Sequence, residues 1–319
     1  MRMLPSLILL AIVVFAGATP AAGSDARYPS KPLRIVTNAV GGGADFIARQ
    51  IALGIAAPLG HQVIVDNRGN TSGEIVSRAQ PDGYTLLLNG GNFWLTPYLR
   101  DRVAYDPVKD FATVSLTNSA PNILVVHPSL PVKTVPELVA MAKARPGELN
   151  YSSGSAATVS HLAGELLKVM AGVNIVRVPY KGTGPAVTAL LGAEVHMMFA
   201  TMVSVMPHMR SGRLRGIAVT SAQRSALAPE MPTIAAGGLA GYESAQLFGM
   251  FVPARSPQTV IGRLNVEIVR LLRQPEVKER FFQSGMDTAG SSPEEFATTI
   301  KADMTRMGKV IRDAGIREE

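Results

Sequence analysis

Gly41-Gly42-Gly43, with Asp45 two residues on, is the first place in this chain where residue types and spacing point to chemistry. The glycines close an apolar, β-rich run, Leu33–Val40, and precede a segment of helical periodicity. Bare backbone amides at a helix start can cradle a small anion, because the first N–H groups lack partners and the helix dipole is positive there. The competing reading is a tight strand-to-helix turn that binds nothing. Ser152–Thr158 (SSGSAAT) repeats the arrangement with hydroxyls around Gly154. Such donors can fork a carboxylate, although plain helix capping would need only Ser155 or Thr158. Lys181, in Tyr180-Lys181-Gly182, is a cation at a strand end, placed either to bind an anion or to face water. Phe93 and Trp94 follow the glycine-bearing Asn89–Asn92 and either wall a cleft or plug the core.

Other chemistries fail on spacing. A dinucleotide fingerprint is broken because Phe46 stands at the third glycine, and no Gly-Lys-Ser/Thr follows to make a phosphate loop. A nucleophile elbow is absent: Ser155 has Gly154 before it but Ala157 two residues after it. His161 and Glu165 share a helix face at i, i+4, which is half a metal site, but no second histidine completes it and the chain has no cysteine. A hydrogen-bonded structural histidine is the simpler reading, and also for His196. The expectation is a protein that is not an enzyme and needs no cofactor and no metal.

The elements that position these loops alternate. Leu33–Val40, Val63–Asp66 and Tyr84–Asn89 read as strands around helices at Asp45–Leu59 and Glu74–Ala79. A second set follows: strands at Leu149–Ser152, Val176–Pro179, Val195–Ala200 and Leu214–Thr220, with helices at Val159–Ala171, Ala186–Leu191 and Val203–Ser211. Phe111–Leu116, Ile123–His127 and Phe248–Val252 are apolar β-rich segments, and Thr134–Lys143 is a helix with a capping box. The chain then turns helical over Gln258–Arg273, Pro275–Ser284 and Pro293–Ala314, the last capped by Ser292. This βα rhythm predicts an α/β fold in two lobes, with the closing helices returning to the first.

The 319 residues are 47% hydrophobic and 17% charged, enough to bury a large core. The net charge of +7 is dispersed and aromatics are only 6%, which argues against nucleic acid as a partner and suits an anionic ligand. Met1–Gly23 reads as a signal peptide: Arg2, an apolar run Leu7–Ala16, then small residues, with cleavage between residues 18 and 26. An uncleaved N-terminal anchor is the alternative. No later apolar run is long enough to span a bilayer. The expectation is an exported, soluble, periplasmic protein.

Taken in order, Tyr28-Pro29, KPLRIV, GGGADFIAR, VDNR, QPDGYTLL, YDPVKDF, PNILVVHPSLP, YSSGS with HLAGE, VPYKGTGPA, ALLGAEVHMMF, RSGRLRGIAVTS, MPT, GYE and FGMFVPA resemble the substrate-binding proteins of tripartite tricarboxylate transport, the Bug or TctC-like family. The resemblance covers nearly all of 28–316. It implies a type II periplasmic binding protein: two α/β lobes with two hinge crossings, closing on a small organic carboxylate that passes to membrane permease subunits, the receptor being a monomer. It places lobe I at 27–123 and 249–319 and lobe II at 124–248, with hinges near Pro121–Val125 and Phe248–Val252. A ligand sensor feeding a signalling protein would share the fold; a secreted enzyme is the remaining alternative.

In that family the first strand–helix loop and the loop before HLAGE pinch one ligand carboxylate. The resemblance therefore implies ligand contacts from Val40, Gly41, Gly42, Gly43 and Asp45 in one jaw and from Ser152, Ser155, Ala156 and Thr158 in the other. Tyr180, Lys181 and Gly182 would line the second lobe, and Asn92, Trp94, Ala200 and Thr201 the distal pocket. The chain departs from the family pattern at Asn67–Gly73, which loses a proline, at Gly90–Trp94, and at His196 and Ala200, where aspartate is common. Ligand identity does not carry over, and the lost acidic groups disfavour an amino acid.

Overall fold

The computed structural model describes residues 28–154 and 157–317. The first set of elements is β1 (Leu33–Thr37), α1 (Gly43–Leu59), β2 (Val63–Asn67), α2 (Ser72–Ser77), β3 (Thr85–Gly90) and α3 (Gly91–Leu99). A long strand, β4 (Phe111–Val126), leads into α4 (Val135–Ala144), β5 (Asn150–Ser153), α5 (Val159–Ala171), β6 (Val176–Pro179), α6 (Thr183–Leu191), β7 (Met197–Thr201), α7 (Met202–Arg210) and β8 (Arg215–Val219). The chain returns through β9 (Ala245–Pro253), α8 (Gln258–Leu272), α9 (Pro275–Gln283), β10 (Asp287–Thr288) and α10 (Pro293–Asp313).

Strand order explains the two-part layout. β2, β1 and β3 are parallel neighbours, and β9 runs antiparallel between β3 and the first part of β4. From Asn122 onward β4 pairs instead with β7 and β8, and β7 continues through β5 to β6 in parallel. One strand thus serves two sheets. The handover falls at Pro121, where a residue without an N–H interrupts the sequence pattern but costs the sheet little because a ladder ends there. That proline is why Phe111–Leu116 and Ile123–His127 read as separate strands although the ladder is continuous.

The expected second crossing moves. Phe248–Val252 lies inside β9, within the stretch that pairs with β3 and β4, so the change of sheet occurs earlier, at Ser244–Ala245. There the Ser244 amide donates to the Thr220 carbonyl at 2.8 Å, while Thr220 and Asn122 are tied by backbone and side-chain bonds. The two crossings therefore meet at one knot.

Each parallel strand set is covered on both faces, as near-continuous apolar runs require. Ile47, Ile51 and Ile55 of α1 pack with Leu264 and Ile268 of α8 over β1 and β3. On the opposite face Phe93, Trp94, Phe251 and Phe296 form an aromatic cluster. α10 lies along β4 and touches both α3 and α5, fastening the second set of elements to the first. Its start is a full capping box, Ser292 with Glu295. At α4, Thr134 caps as expected, but the Glu137 carboxylate accepts from Lys133 rather than from the cap residue, so the box is open.

Candidate functional site

The carboxyl ends of β1 and β3 open onto one cavity of about 320 Å³, lined by Asn38, Gly42, Gly43, Ala44, Asn89, Gly90, Asn92, Gln246 and Phe248. Two helices begin on it. The caps of α1 and α3 are Gly42 and Gly90, both in extended conformation, and neither helix start receives a side-chain cap. First-turn amides that no side chain serves leave donors for an anion, and the two helix ends add positive potential.

The loop is held open from behind. Gly41 sits at φ +83, a conformation L side chains rarely adopt. Its amide donates to Asp45 Oδ2 at 2.9 Å, while Asn67 Nδ2 and Arg49 Nε take Oδ1, each at 2.9 Å. Burial would raise the Asp45 pKa, but the Gly41 amide, Arg49 and Asn67 outweigh it and hold the carboxyl below its ordinary value. With both oxygens engaged, Asp45 shapes the glycine turn and is not aimed at a ligand.

α3 was invisible as a helix because Gly90-Gly91 and Pro97 read as a loop. Pro97 cannot bond the carbonyl of Phe93, and the Tyr105 hydroxyl takes that acceptor at 3.0 Å, so the helix survives its proline. At its start, Gln246 Nε2 approaches so closely that a Cβ on Gly90 would lie 2.6 Å from it. A side chain there would displace Gln246 and crowd the Leu247 carbonyl, which would lie 3.2 Å from its Cβ.

The start of α5 lies across from the start of α3. Val159 and Leu162 of α5 meet Gly91, Asn92 and Leu95 of α3 across a narrow gap that also touches Gln246. The loop before α5 is stiffened from within. The Ala157 amide donates to His161 Nδ1 at 3.1 Å, and the Gly154 amide donates to Ser160 Oγ at 3.2 Å. Burial first, and then the Arg177 charge, push the His161 pKa down to about 4, so the ring is neutral near pH 7 and Nδ1 is free to accept. Glu165 is occupied by the Tyr151 hydroxyl and Lys168. Among the described residues no three His, Asp or Glu side chains come together to hold a metal.

With this geometry in place, the family can be decided. A family model described as "Tripartite tricarboxylate transporter family receptor" matches residues 47–316. The chain belongs to that family. Among its relatives is a UPF0065 protein in the tcbD-tcbE intergenic region of Pseudomonas sp. (strain P51), 36% identical over 95% of this chain and 91% of the relative. Among solved structures it is similar to R. palustris Rpa4515 with adipate, at 33% identity and a TM-score of 0.70, covering 91% of this chain and 99% of the other. It is also similar to the periplasmic binding protein BugD, at 30% identity and a TM-score of 0.67, covering 92% and 100%. The type II periplasmic binding-protein fold implied by the family resemblance is the fold of this receptor.

The receptor distributes the expected site residues unevenly. Gly42, Gly43 and Asn92 line the cavity; Val40, 73% exposed, and Gly41 lie beside it. Trp94 does not wall a cleft. It is fully buried against Phe251 and Phe296, and its indole donates to Asp303 Oδ2 at 2.8 Å. Ser152 and Ala200 are likewise core side chains, the Ser152 hydroxyl donating to the Ala186 carbonyl at 3.1 Å. Ser155 and Ala156, like the leader 1–23, lie outside the described residues. Thr158 caps α5 by position only, its hydroxyl within 3.1 Å of Ser160 Oγ. Gly182 and Thr201 begin α6 and α7, again without a side-chain cap, with Tyr180 half-buried and Lys181 exposed alongside. His196 belongs at the opposite end of its sheet, where it bonds Asn150 at the start of β5, so it faces no cleft.

Six cavity residues were not among the expected contacts: Asn38, Ala44, Asn89, Gly90, Gln246 and Phe248. Asn38 and Asn89 carried a usable signal, since each is a polar residue closing an apolar strand at its carboxyl end. Arg177 was also missed. It donates to Ser153 Oγ at 2.7 Å and to the Gly154 carbonyl at 2.8 Å, placing a guanidinium behind the second loop.

Proposed function

We propose that this receptor is an extracytoplasmic solute-binding protein that captures a small organic carboxylate between two lobes and delivers it to a tripartite tricarboxylate-type permease. Residues 1–23 export it to the periplasm, where it works as a monomer. Lobe I comprises 27–123 and 249–319 and lobe II 124–248, with the hinges a few residues before those bounds, at the sheet crossings at Pro121 and Ser244–Ala245. One observation carries the reading: α1 and α3 begin, without side-chain caps, on a single cavity, and the start of α5 lies across from the start of α3.

The carboxylate lies against the amides that follow Gly42, near Asn92, and lobe II closes over it with the loop from Ser152 to Thr158. The loop carrying Tyr180, Lys181 and Gly182 and the strand end at Ala200 and Thr201 border the lobe II side. Each helix end contributes about 0.3–1 kcal/mol and each hydrogen bond to the charged group about 1.5–3 kcal/mol. After the costs of binding, a few such contacts reach micromolar affinity, about −8 kcal/mol. No bond is made or broken. The bound adipate of the R. palustris neighbour supports the ligand class.

The test is a thermal-shift and calorimetric screen of mono-, di- and tricarboxylates against neutral amides of the same skeleton. Carboxylates are expected to raise the midpoint. Stabilisation by the amides alone would sink the anion cradle. Gly42→Val leaves the fold intact, since a Cβ there meets only the Ala39 carbonyl at 3.7 Å, and is expected to weaken carboxylate binding.

A further inference from the structure

The turn that follows α9 touches the starts of two uncapped helices, α1 and α7. Met286 backs the first: with a Cβ placed on Gly43, Met286 Cε would lie 3.2 Å and Phe248 Cζ 3.0 Å away. Gly285 meets the second: a Cβ placed on it would lie 2.9 Å from Val203 Cγ1, in the first turn of α7. Gly285 is buried at φ +72, so a side chain there would be strained in its own backbone and would press on Val203.

The turn is anchored in the first set of elements. The Gly285 and Met286 amides donate to the carbonyls of Phe282 and Phe281 at 2.9 and 3.0 Å, and β10 pairs with Asn118 and Ser119 of β4, just ahead of the crossing at Pro121. Val203 and Ser225 belong to the second set. The Ser225 hydroxyl donates to Asp287 Oδ2 at 2.7 Å. Ser225 is buried and held from behind, its Oγ accepting from the Leu227 amide at 3.2 Å and its carbonyl from the Ala228 amide at 3.1 Å. Three consecutive residues thus reach α7, the cradle glycine and the loop after β8.

Both contacts with the second set are at closest approach. A hydroxyl 2.7 Å from a carboxylate oxygen is already at the length of a charge-assisted bond, and no methyl group fits between Gly285 and Val203. Rotating the second set about the crossings therefore loosens at least one of them. The cradle, meanwhile, is uncovered: its described lining residues come from the first set and from β9, and none comes from 157–220. The two contacts go with an open arrangement.

We propose that Gly285–Asp287 is an interlobe latch that holds the receptor open. The inference rests on the two-lobe closure proposed above and adds the element that opposes it. Closing carries Val203 off Gly285 and parts Ser225 from Asp287, and a bound ligand must supply that difference. Weakening the latch therefore raises the closed fraction of the unliganded receptor.

The test attaches a nitroxide to Gly184→Cys in the unliganded receptor. Position 184 is exposed at the start of α6 with open space around its Cβ, and the chain has no other cysteine. Paramagnetic broadening of the Gly42, Gly43 and Ala44 amides reads the closed fraction. Val203→Ala and Ser225→Ala are each expected to raise that fraction by about two- to tenfold, and the double variant by more. Val203→Thr keeps the shape of the contact and should stay near the wild type. Melting curves verify that each variant is folded. A closed fraction unmoved or lowered in either alanine variant overturns the latch, as does a rise in Val203→Thr equal to that in Val203→Ala. No ligand is added, so the result is separable from the carboxylate screen: failure of every carboxylate to bind would sink the ligand class and leave this comparison to decide the latch.

Discussion

Gly42 is where stability and affinity are expected to move in opposite directions. It is the cap residue of α1, its backbone at φ −83 and ψ 169 already has cap geometry, and a Cβ would find open space apart from the Ala39 carbonyl at 3.7 Å. Asparagine there should therefore cap the helix, accepting from a first-turn amide that no side chain now serves. The gain over glycine is a few tenths of a kcal/mol, so the melting temperature rises by about 1 °C. The same bond occupies a donor the ligand needs. Losing one hydrogen bond to a carboxylate costs about 1.5–3 kcal/mol, or roughly 10- to 100-fold in Kd. Gly42→Asp goes further. Two unit charges about 4 Å apart at an effective dielectric of about 20 repel by about 4 kcal/mol, so carboxylate binding should vanish from a calorimetric titration. Its cap gain is smaller because Asp45 is close in the same turn. Differential scanning and titration calorimetry on the wild type, Gly42→Asn and Gly42→Asp separate the effects. A folded Gly42→Asp that binds carboxylates as tightly as the wild type would refute the placement of the ligand on α1.

Three further outcomes follow from buried polar groups. Trp94→Phe keeps an aromatic ring but removes the donor to Asp303 Oδ2, leaving that buried carboxyl, already raised in pKa by burial, only Arg306 at 3.3 Å on Oδ1, and should lower the unfolding free energy by about 1–3 kcal/mol while carboxylate affinity stays in place. His161 has a folded pKa of about 4 against an ordinary 6.5, so its contribution is complete above pH 6.5 and is lost as pH falls toward 4, because the unfolded chain takes up the proton first; the loss is at most about 3 kcal/mol. The difference in stability between wild type and His161→Gln should shrink over that window, and a difference flat from pH 7 to 4 would contradict the buried neutral ring. Thr220→Val keeps the shape of the knot between the sheet crossings but leaves the Asn122 amide without its 2.9 Å acceptor, and should lower the unfolding free energy by about 1–3 kcal/mol.

The sequence exposed most of this fold because its helices and strands differ sharply in period. Ile47, Ile51 and Ile55 at spacing four marked α1, and Val159–Ala171 was read to its true bounds. Failures came where a tertiary partner overrode a local signal. Gly90-Gly91 and Pro97 spelled a loop, yet the aromatic core around Trp94 and the Tyr105 hydroxyl sustain a helix. Pro121 suggested a break, yet it sits where one ladder hands over to another. β10, two residues added to β4 beside Asn118 and Ser119, has no pattern of its own to read. The site was half legible for the same reason. Glycines announce a demand on the backbone from the sequence alone, but whether an asparagine, glutamine or tryptophan faces a cavity depends on which sheet face its element covers. Trp94 and Asn92 are two residues apart on one helix: the first is core, the second lines the cavity.

Helix capping turns that distinction into a physical criterion. α4 and α10 carry side-chain caps, Thr134 and Ser292. α1, α2, α3, α5, α6 and α7 follow β1, β2, β3, β5, β6 and β7, and none has one. α8 and α9 also lack side-chain caps, but they follow no parallel strand; Pro257 is the cap residue of α8, and α9 starts at Pro275. A helix start left uncapped forgoes about 1 kcal/mol relative to serine, threonine or asparagine where a non-glycine residue stands, and a few tenths where glycine does. Six such starts along the carboxyl edges of two parallel strand sets fit one requirement, which a single tight turn would not impose. Under the proposed function free amides stay available on both sides of the cleft, and Gly42, Gly90 and Gly182 keep them free at the smallest cost to the helices they begin.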